Sequence, residues 1–133
     1  MFFKQVVGLE EIKSKLRSMV QKGRLSHAML LTGAEGNGGL ALALAFAQYL
    51  VCDKVTHKTI APDLLFPAAS ADEEKLPIES CGVCASCIKA AQLIHPDIHY
   101  VYPVFARKSG DKPLSADFIV EWREFISQSP YGN

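Results

Sequence analysis

The run Ala28-Met29-Leu30-Leu31-Thr32-Gly33-Ala34-Glu35-Gly36-Asn37-Gly38-Gly39-Leu40 passes from a short apolar segment into a glycine-rich turn. The apolar part has the composition of a strand covered on both faces, as in a parallel sheet. Gly33 and Gly38 stand at the separation of the two framing glycines of a phosphate-binding loop, G-x-x-x-x-G-K-[ST]. In such a loop, glycines let backbone N–H groups wrap the phosphates, while a lysine and a hydroxyl serve the terminal phosphates and Mg²⁺. Here Gly39 takes the lysine position and Leu40 the hydroxyl position, and Glu35 adds a negative charge. Hydrolysis of ATP by this chain is therefore not expected, nor is ATP as a cofactor. If the frame (Gly33, Gly36, Gly38, Gly39) holds any ligand, it is a weakly bound nucleotide or anion at the helix N-terminus. An ordinary tight turn between strand and helix stands as the alternative.

On the C-terminal side of the loop, residues 38–51 are almost wholly apolar and rich in Ala and Leu, which predicts a helix buried on most sides; Gln48 interrupts the run. On the N-terminal side, Leu9, Ile12, Leu16, Met19 and Val20 fall at amphipathic helical spacing up to Gly23, a suitable left-handed cap. Beyond the buried helix, residues 53–80 hold Pro62, Pro67, Pro77 and the acidic run Asp72-Glu73-Glu74, and read as a long irregular connection. Residues 84–94 fit a further helix stopped by Pro96, and residues 98–102 have strand composition ended by Pro103. Ser115 is placed to cap a last helix, with Asp117 in its first turn and Phe118, Ile119, Trp122, Phe125 and Ile126 as one apolar core stripe. The alternation of strands and helices points to an α/β layered domain with a parallel sheet.

Cys81-Gly82-Val83-Cys84-Ala85-Ser86-Cys87 places three thiols two residues apart, and Cys52 supplies a fourth at the end of the buried helix. Packing alone does not explain C-x-x-C-x-x-C. Four thiolates complete a tetrahedral Zn²⁺ and leave no position for water, so such a site is structural rather than catalytic. Iron–sulfur ligation is the lesser alternative, and His57, His95 and His99 are weaker ligand candidates. His27 and His95 read as structural histidines, and no catalytic residue is assigned.

Composition bounds the remaining choices. The 133 residues make one domain's worth of chain, 49% hydrophobic, with 14 basic residues balancing 14 acidic ones, so nothing forecasts a strongly basic nucleic-acid surface or an acidic tail. The start lacks the pattern of a signal peptide, and the longest apolar run is too short to span a bilayer. A cytoplasmic protein with reduced cysteines is expected, without membrane contact.

Taken in order, residues 3–8 (Phe-Lys-Gln-Val-Val-Gly), residues 25–33 leading into the glycine loop, Cys52 with Cys81, Cys84 and Cys87, and His95-Pro96-Asp97 resemble the amino-terminal AAA+ domain of bacterial clamp-loader subunits of DNA polymerase III. The resemblance covers nearly the whole chain. It implies a P-loop NTPase-like, three-layer fold with a parallel sheet, residues 1–133 being the N-terminal portion of the domain and a zinc module being inserted at about 52–95. The family's motor subunits (gamma/tau) keep the lysine and hydroxyl; the degenerate loop here is similar to that of the non-hydrolysing stator type. The implied partners are gamma/tau and delta, and, through the complex, the sliding β clamp and primed DNA of a polymerase holoenzyme. The residues 53–80 are much longer than the family's usual insertion. The strand ending in paired acidic residues, the Ser-Arg-Cys motif and the helical lid are not found, so the chain reads as a fragment with an exposed apolar edge open to self-association. A gamma/tau-like ATP-binding subunit and a zinc-dependent nucleic-acid-binding module are the competing functions.

Overall fold

A computed structural model describes residues 1–60, 76–108, 110, 112–129 and 131. Pro62, Pro67 and Asp72-Glu73-Glu74 lie outside the described residues. Among the described residues five α-helices run in order: α1 (Glu10–Gln21), α2 (Gly39–Leu50), α3 (Asp53–Ile60), α4 (Ala85–Ala91) and α5 (Ile119–Gln128). Short 3-10 turns stand at Phe3–Gln5 and Ser115–Phe118.

Helix α2 is the axis of the core, as its composition predicts. Ala41, Leu42, Ala45, Phe46 and Tyr49 are all buried, and Phe3, Val6, Leu16, Val20, Val55 and Cys87 pack around them. Each fully buried aliphatic or aromatic side chain of this kind is worth about 1.5–3 kcal/mol, which is why an N-terminal segment with little regular structure is held firmly against the helix. The Phe3 ring lies 5.5 Å from Tyr49 and 6.5 Å from Phe46, both in tilted contacts.

Helix α1 ends as expected. Gly23 is left-handed (φ +61°). Its N–H reaches the Val20 carbonyl, and the next N–H, of Arg24, reaches Met19. That bond pair is a Schellman cap, which satisfies carbonyls the helix would otherwise leave bare. Helix α4 closes with the same pair of bonds, Leu93 to Ala90 and Ile94 to Lys89, with Leu93 itself at φ +58°.

Three expectations are corrected. The parallel sheet does not form among the described residues. Residues 28–32 are extended and exposed (Leu30 86%), and their backbone makes no hydrogen bond to another described residue, so the doubly covered strand lacks both partners and cover. A strand is stable only through its neighbours, and composition alone cannot supply them.

Residues 98–102 are extended as well, but pack on α5. The Tyr100 and Tyr102 rings lie 4.7 Å and 5.0 Å from Trp122, the second stacked at 7°. Ser115 satisfies the backbone of Tyr102: its Oγ accepts from the Tyr102 N–H (3.2 Å) and donates to the Tyr102 carbonyl (2.8 Å). Ser115 is therefore spent across the chain and does not cap. Asp117 takes that work, its carboxylate accepting the Leu114 N–H at 2.9 Å. Of the predicted α5 stripe only Ile126 is buried, because Trp122 faces the two tyrosines and Phe125 remains 42% exposed.

The third correction concerns residues 53–80, whose first eight form α3. The Cys52 carbonyl accepts from both Val55 and Thr56, nucleating the turn, and Val55 enters the core beside Cys52. Among the described residues no helix is long and apolar enough to cross a membrane.

Candidate metal centre and glycine loop

The four cysteines converge. Cys52 lies between α2 and α3, Cys81 and Cys84 in the turn before α4, and Cys87 in the first turn of α4. All four sulfurs lie within 4.8 Å of one another, and Cys81 and Cys87 are 3.9 Å apart. Sulfurs bound at about 2.3 Å to one tetrahedral ion stand roughly 3.8 Å apart, so the donor set fits a single ion of this kind. None is in a disulfide. The long separation between Cys52 and Cys81 does not keep Cys52 out of the cluster. Cys52 and Cys87 are fully buried, and Cys81 and Cys84 form the half-buried rim. His95 and His99 stand outside the cluster; His95 is buried and its Nδ1 accepts the Asp97 N–H at 3.2 Å.

The local backbone is built to serve sulfur. Gly82 is left-handed (φ +74°), and a Cβ there would meet the Phe2 ring at 2.7 Å, so only glycine permits both the turn and the contact. Peptide N–H groups point at two of the sulfurs, Cys81 to Cys52 Sγ (3.3 Å) and Cys87 to Cys84 Sγ (3.4 Å). Ser86 Oγ donates to Asp53 at 2.8 Å, tying the start of α4 to the start of α3 beside the cluster. Hydrogen bonds from the Val83 and Cys84 backbone hold the Cys81 thiol down, to about 6, while burial pushes the Cys87 thiol up. A bound dication would hold both of these sulfurs as thiolates.

Gln48, a polar residue on a buried helix, has its reason here. Fully buried, its Nε2 donates to Ser80 Oγ (2.9 Å) and its Oε1 accepts from the Met1 amine (2.8 Å). Tyr49 OH donates to the Pro77 carbonyl at 2.8 Å. The Glu79 carboxylate accepts the N–H groups of Phe3 and Lys4, each at 3.1 Å. The interruption at Gln48 is visible in the sequence; nothing in the sequence singles out Glu79.

The glycine loop lies at the other end of α2. Gly36 and Gly38 are left-handed (φ +77° and +75°), the Asn37 N–H turns back to the Ala34 carbonyl (3.2 Å), and Gly38 caps α2. An open cleft of about 630 Å³ borders it, between Leu9 and Ile12 of the N-terminal part and Leu30 of the extended segment. Its described lining holds no lysine or arginine and one carboxylate, Glu35. The Tyr131 ring lies against Gly38, where an added Cβ would be 2.7 Å from Cε1. Tyr131 OH accepts the Val7 N–H (2.8 Å) and donates to the Gln5 carbonyl (3.2 Å). The sequence gives no sign of Tyr131 at this site.

Parts of the chain are similar to known proteins. Residues 8–64 match the family model described as DNA polymerase III, delta subunit. Over 115 residues the chain is 29% identical to DNA polymerase III subunit delta' of Escherichia coli (strain K12), covering 86% of this chain and 27% of that protein. Over 87 residues it is 31% identical to Protein STICHEL-like 1 of Arabidopsis thaliana, covering 65% of this chain and 6% of that protein. The chain thus spans about a quarter or less of the length of these relatives. No solved structure matches it. The matches support the resemblance to clamp-loader subunits read from the sequence.

Proposed function

We propose that this chain is part of a delta-prime-type clamp-loader subunit, a non-hydrolysing stator that helps place the sliding β clamp on primed DNA in partnership with gamma/tau and delta subunits. The observation that carries the reading is the glycine loop. It keeps the backbone frame of a phosphate loop, yet Gly39 and Leu40 replace the cation and the hydroxyl, Glu35 adds negative charge, and Tyr131 packs against Gly38. A triphosphate needs charge compensation from lysine and Mg²⁺, and the described lining of this cleft offers no lysine or arginine.

In the same reading Cys52, Cys81, Cys84 and Cys87 hold one structural Zn²⁺, which would fasten α2, α3 and α4 to the turn at Gly82. Four sulfurs with no open position supply no Lewis-acid chemistry to a substrate. The Gly33, Gly36, Gly38 and Gly39 frame then serves as a rigid turn rather than a cofactor site.

Calorimetric titration of the protein with MgATP tests the stator assignment. The expected result is no sub-millimolar binding and no phosphate release; tight binding with turnover would assign the chain to the motor type instead. Metal analysis of protein purified under reducing conditions tests the second part. One equivalent of zinc is expected, falling below half an equivalent in Cys84→Ser.

A further inference from the structure

We infer that the cysteine knuckle and the glycine loop, at opposite ends of α2, are mechanically coupled through residues 2–7, with Glu79 and Tyr131 as the two attachment points. The argument rests on where the polar groups of an irregular segment go. Residues 2–7 hold only one 3-10 turn, Phe3–Gln5, so most of their backbone groups need partners from elsewhere.

At one end those partners come from the knuckle. The Glu79 carboxylate takes the Phe3 and Lys4 N–H groups, and the Phe2 ring covers Gly82 so closely that a Cβ there would be 2.7 Å away. Arg17 of α1, lying over the Phe3 ring at 5.8 Å, also reaches the Ile78 carbonyl at 3.5 Å. At the other end the partner comes from Tyr131, whose hydroxyl takes the Val7 N–H and gives to the Gln5 carbonyl while its ring packs on Gly38 at the head of α2. Between the two attachments, Phe3 and Val6 are buried in the core, and the Val6 carbonyl accepts from the buried Lys13 ammonium at 2.6 Å. The segment is therefore held along its length, from Glu79 at one end to Tyr131 at the other.

Energetic coupling between distant sites is carried by chains of packed side chains and hydrogen bonds, and residues 2–7 supply such a chain. Fixing the knuckle with a metal ion sets the position of Phe2 to Lys4, and through Gln5 and Val7 the seat of Tyr131 on the loop. Glu79 and Tyr131 act as positioning residues: Glu79 is not one of the clustered sulfur ligands, and Tyr131 lines the cleft beside Gly38. The coupling rests on the zinc reading only for what fixes the knuckle, since the contacts from Glu79 to Gly38 are independent of metal.

Hydrogen exchange followed by mass spectrometry on the whole chain tests this, with zinc content measured on the same samples. Glu79→Ala removes both acceptors, and hydrogen bonds to a charged group are worth about 1.5–3 kcal/mol, or roughly tenfold or more in exchange. The expected result is about tenfold faster exchange both in peptides covering residues 2–8 and in peptides covering residues 36–42, with zinc retained. Glu79→Gln, which keeps one acceptor oxygen and guards against misfolding of the alanine variant, is expected to give a smaller change in the same two regions.

Tyr131→Phe keeps the ring and loses the hydroxyl; it is expected to loosen residues 36–42 by itself, and adding Glu79→Ala is expected to loosen them no further. Faster exchange confined to residues 2–8 and 76–84, or effects of the two substitutions that multiply, would overturn the coupling. Absence of zinc from the wild-type chain would instead overturn the metal assignment, and the exchange pattern would still decide the link.

Discussion

At the scale of single residues, the chemistry of this chain is a matter of what stands beside each glycine and each sulfur. Gly38 combines φ +75° with an aromatic ring 2.7 Å from where its Cβ would be. Gly38→Ala is therefore expected to destabilise the protein by at least about 2 kcal/mol, from left-handed strain of roughly 1–2 kcal/mol and displacement of Tyr131; urea unfolding measures it. Gly36→Ala, left-handed but with open space around it, is expected to cost only the strain. The sulfurs were the most legible part of the sequence, because three thiols at fixed spacing have few uses besides a metal. Cys52 is read with them in the sequence as the fourth thiol, and in the structure the Cys81 N–H on Cys52 Sγ joins the two halves of the site. Glu79 and Tyr131 were illegible for a physical reason: an exposed-looking carboxylate and a tyrosine in a turn carry no pattern, and their roles arise from backbone groups brought to them by tertiary packing.

Among the elements, helices with their own signals were read correctly and strands were not. Helix α1 is written in its apolar spacing and in Gly23, and α2 in its nearly unbroken apolar run, because both features act within the helix itself. Gly23→Ala, which meets no atom within 4 Å but sits at φ +61°, isolates the worth of the α1 cap. A loss of about 1 kcal/mol is expected, lowering Tm by roughly 3–6 °C. Helix α3 was missed because Val55, Thr56 and Thr59 are poor helix formers; it forms through the Cys52 carbonyl and the burial of Val55, neither of which is local information. The two strand-like segments fail in the opposite sense. Residues 28–32 and 98–102 have the right composition, but a ladder needs a second strand, and α5 offers residues 98–102 an aromatic face instead.

For the molecule as a whole, α2 joins two sites of different kinds. At its C-terminal end the four-cysteine cluster gathers α3, α4 and the N-terminal segment; at its N-terminal end lies the glycine loop, with Gly36 and Gly38 left-handed and no lysine or arginine in its described surroundings. If the cluster holds zinc, binding free energy is folding free energy. Removal of the ion with a strong chelator under reducing conditions is expected to lower Tm by on the order of 10 °C and to be reversed by one equivalent of Zn²⁺, as followed by circular dichroism. An unchanged Tm would show that the thiols merely pack. The family resemblance was readable because it rests on the order of motifs along the chain, which a missing sheet does not alter, and the match of residues 8–64 to the DNA polymerase III, delta subunit model accords with that order.

Clamp loading itself decides whether the protein serves as a stator that turns over no ATP. Loaders are reconstituted from gamma/tau and delta subunits with and without the full protein that contains this chain, and transfer of a fluorescent β clamp to primed DNA is measured in MgATP. Loading that depends on the protein is the predicted result, together with loss of all ATP turnover in a second loader whose gamma/tau phosphate-loop lysine is substituted. Equal loading without the protein, or turnover that persists in that substituted loader, would contradict it.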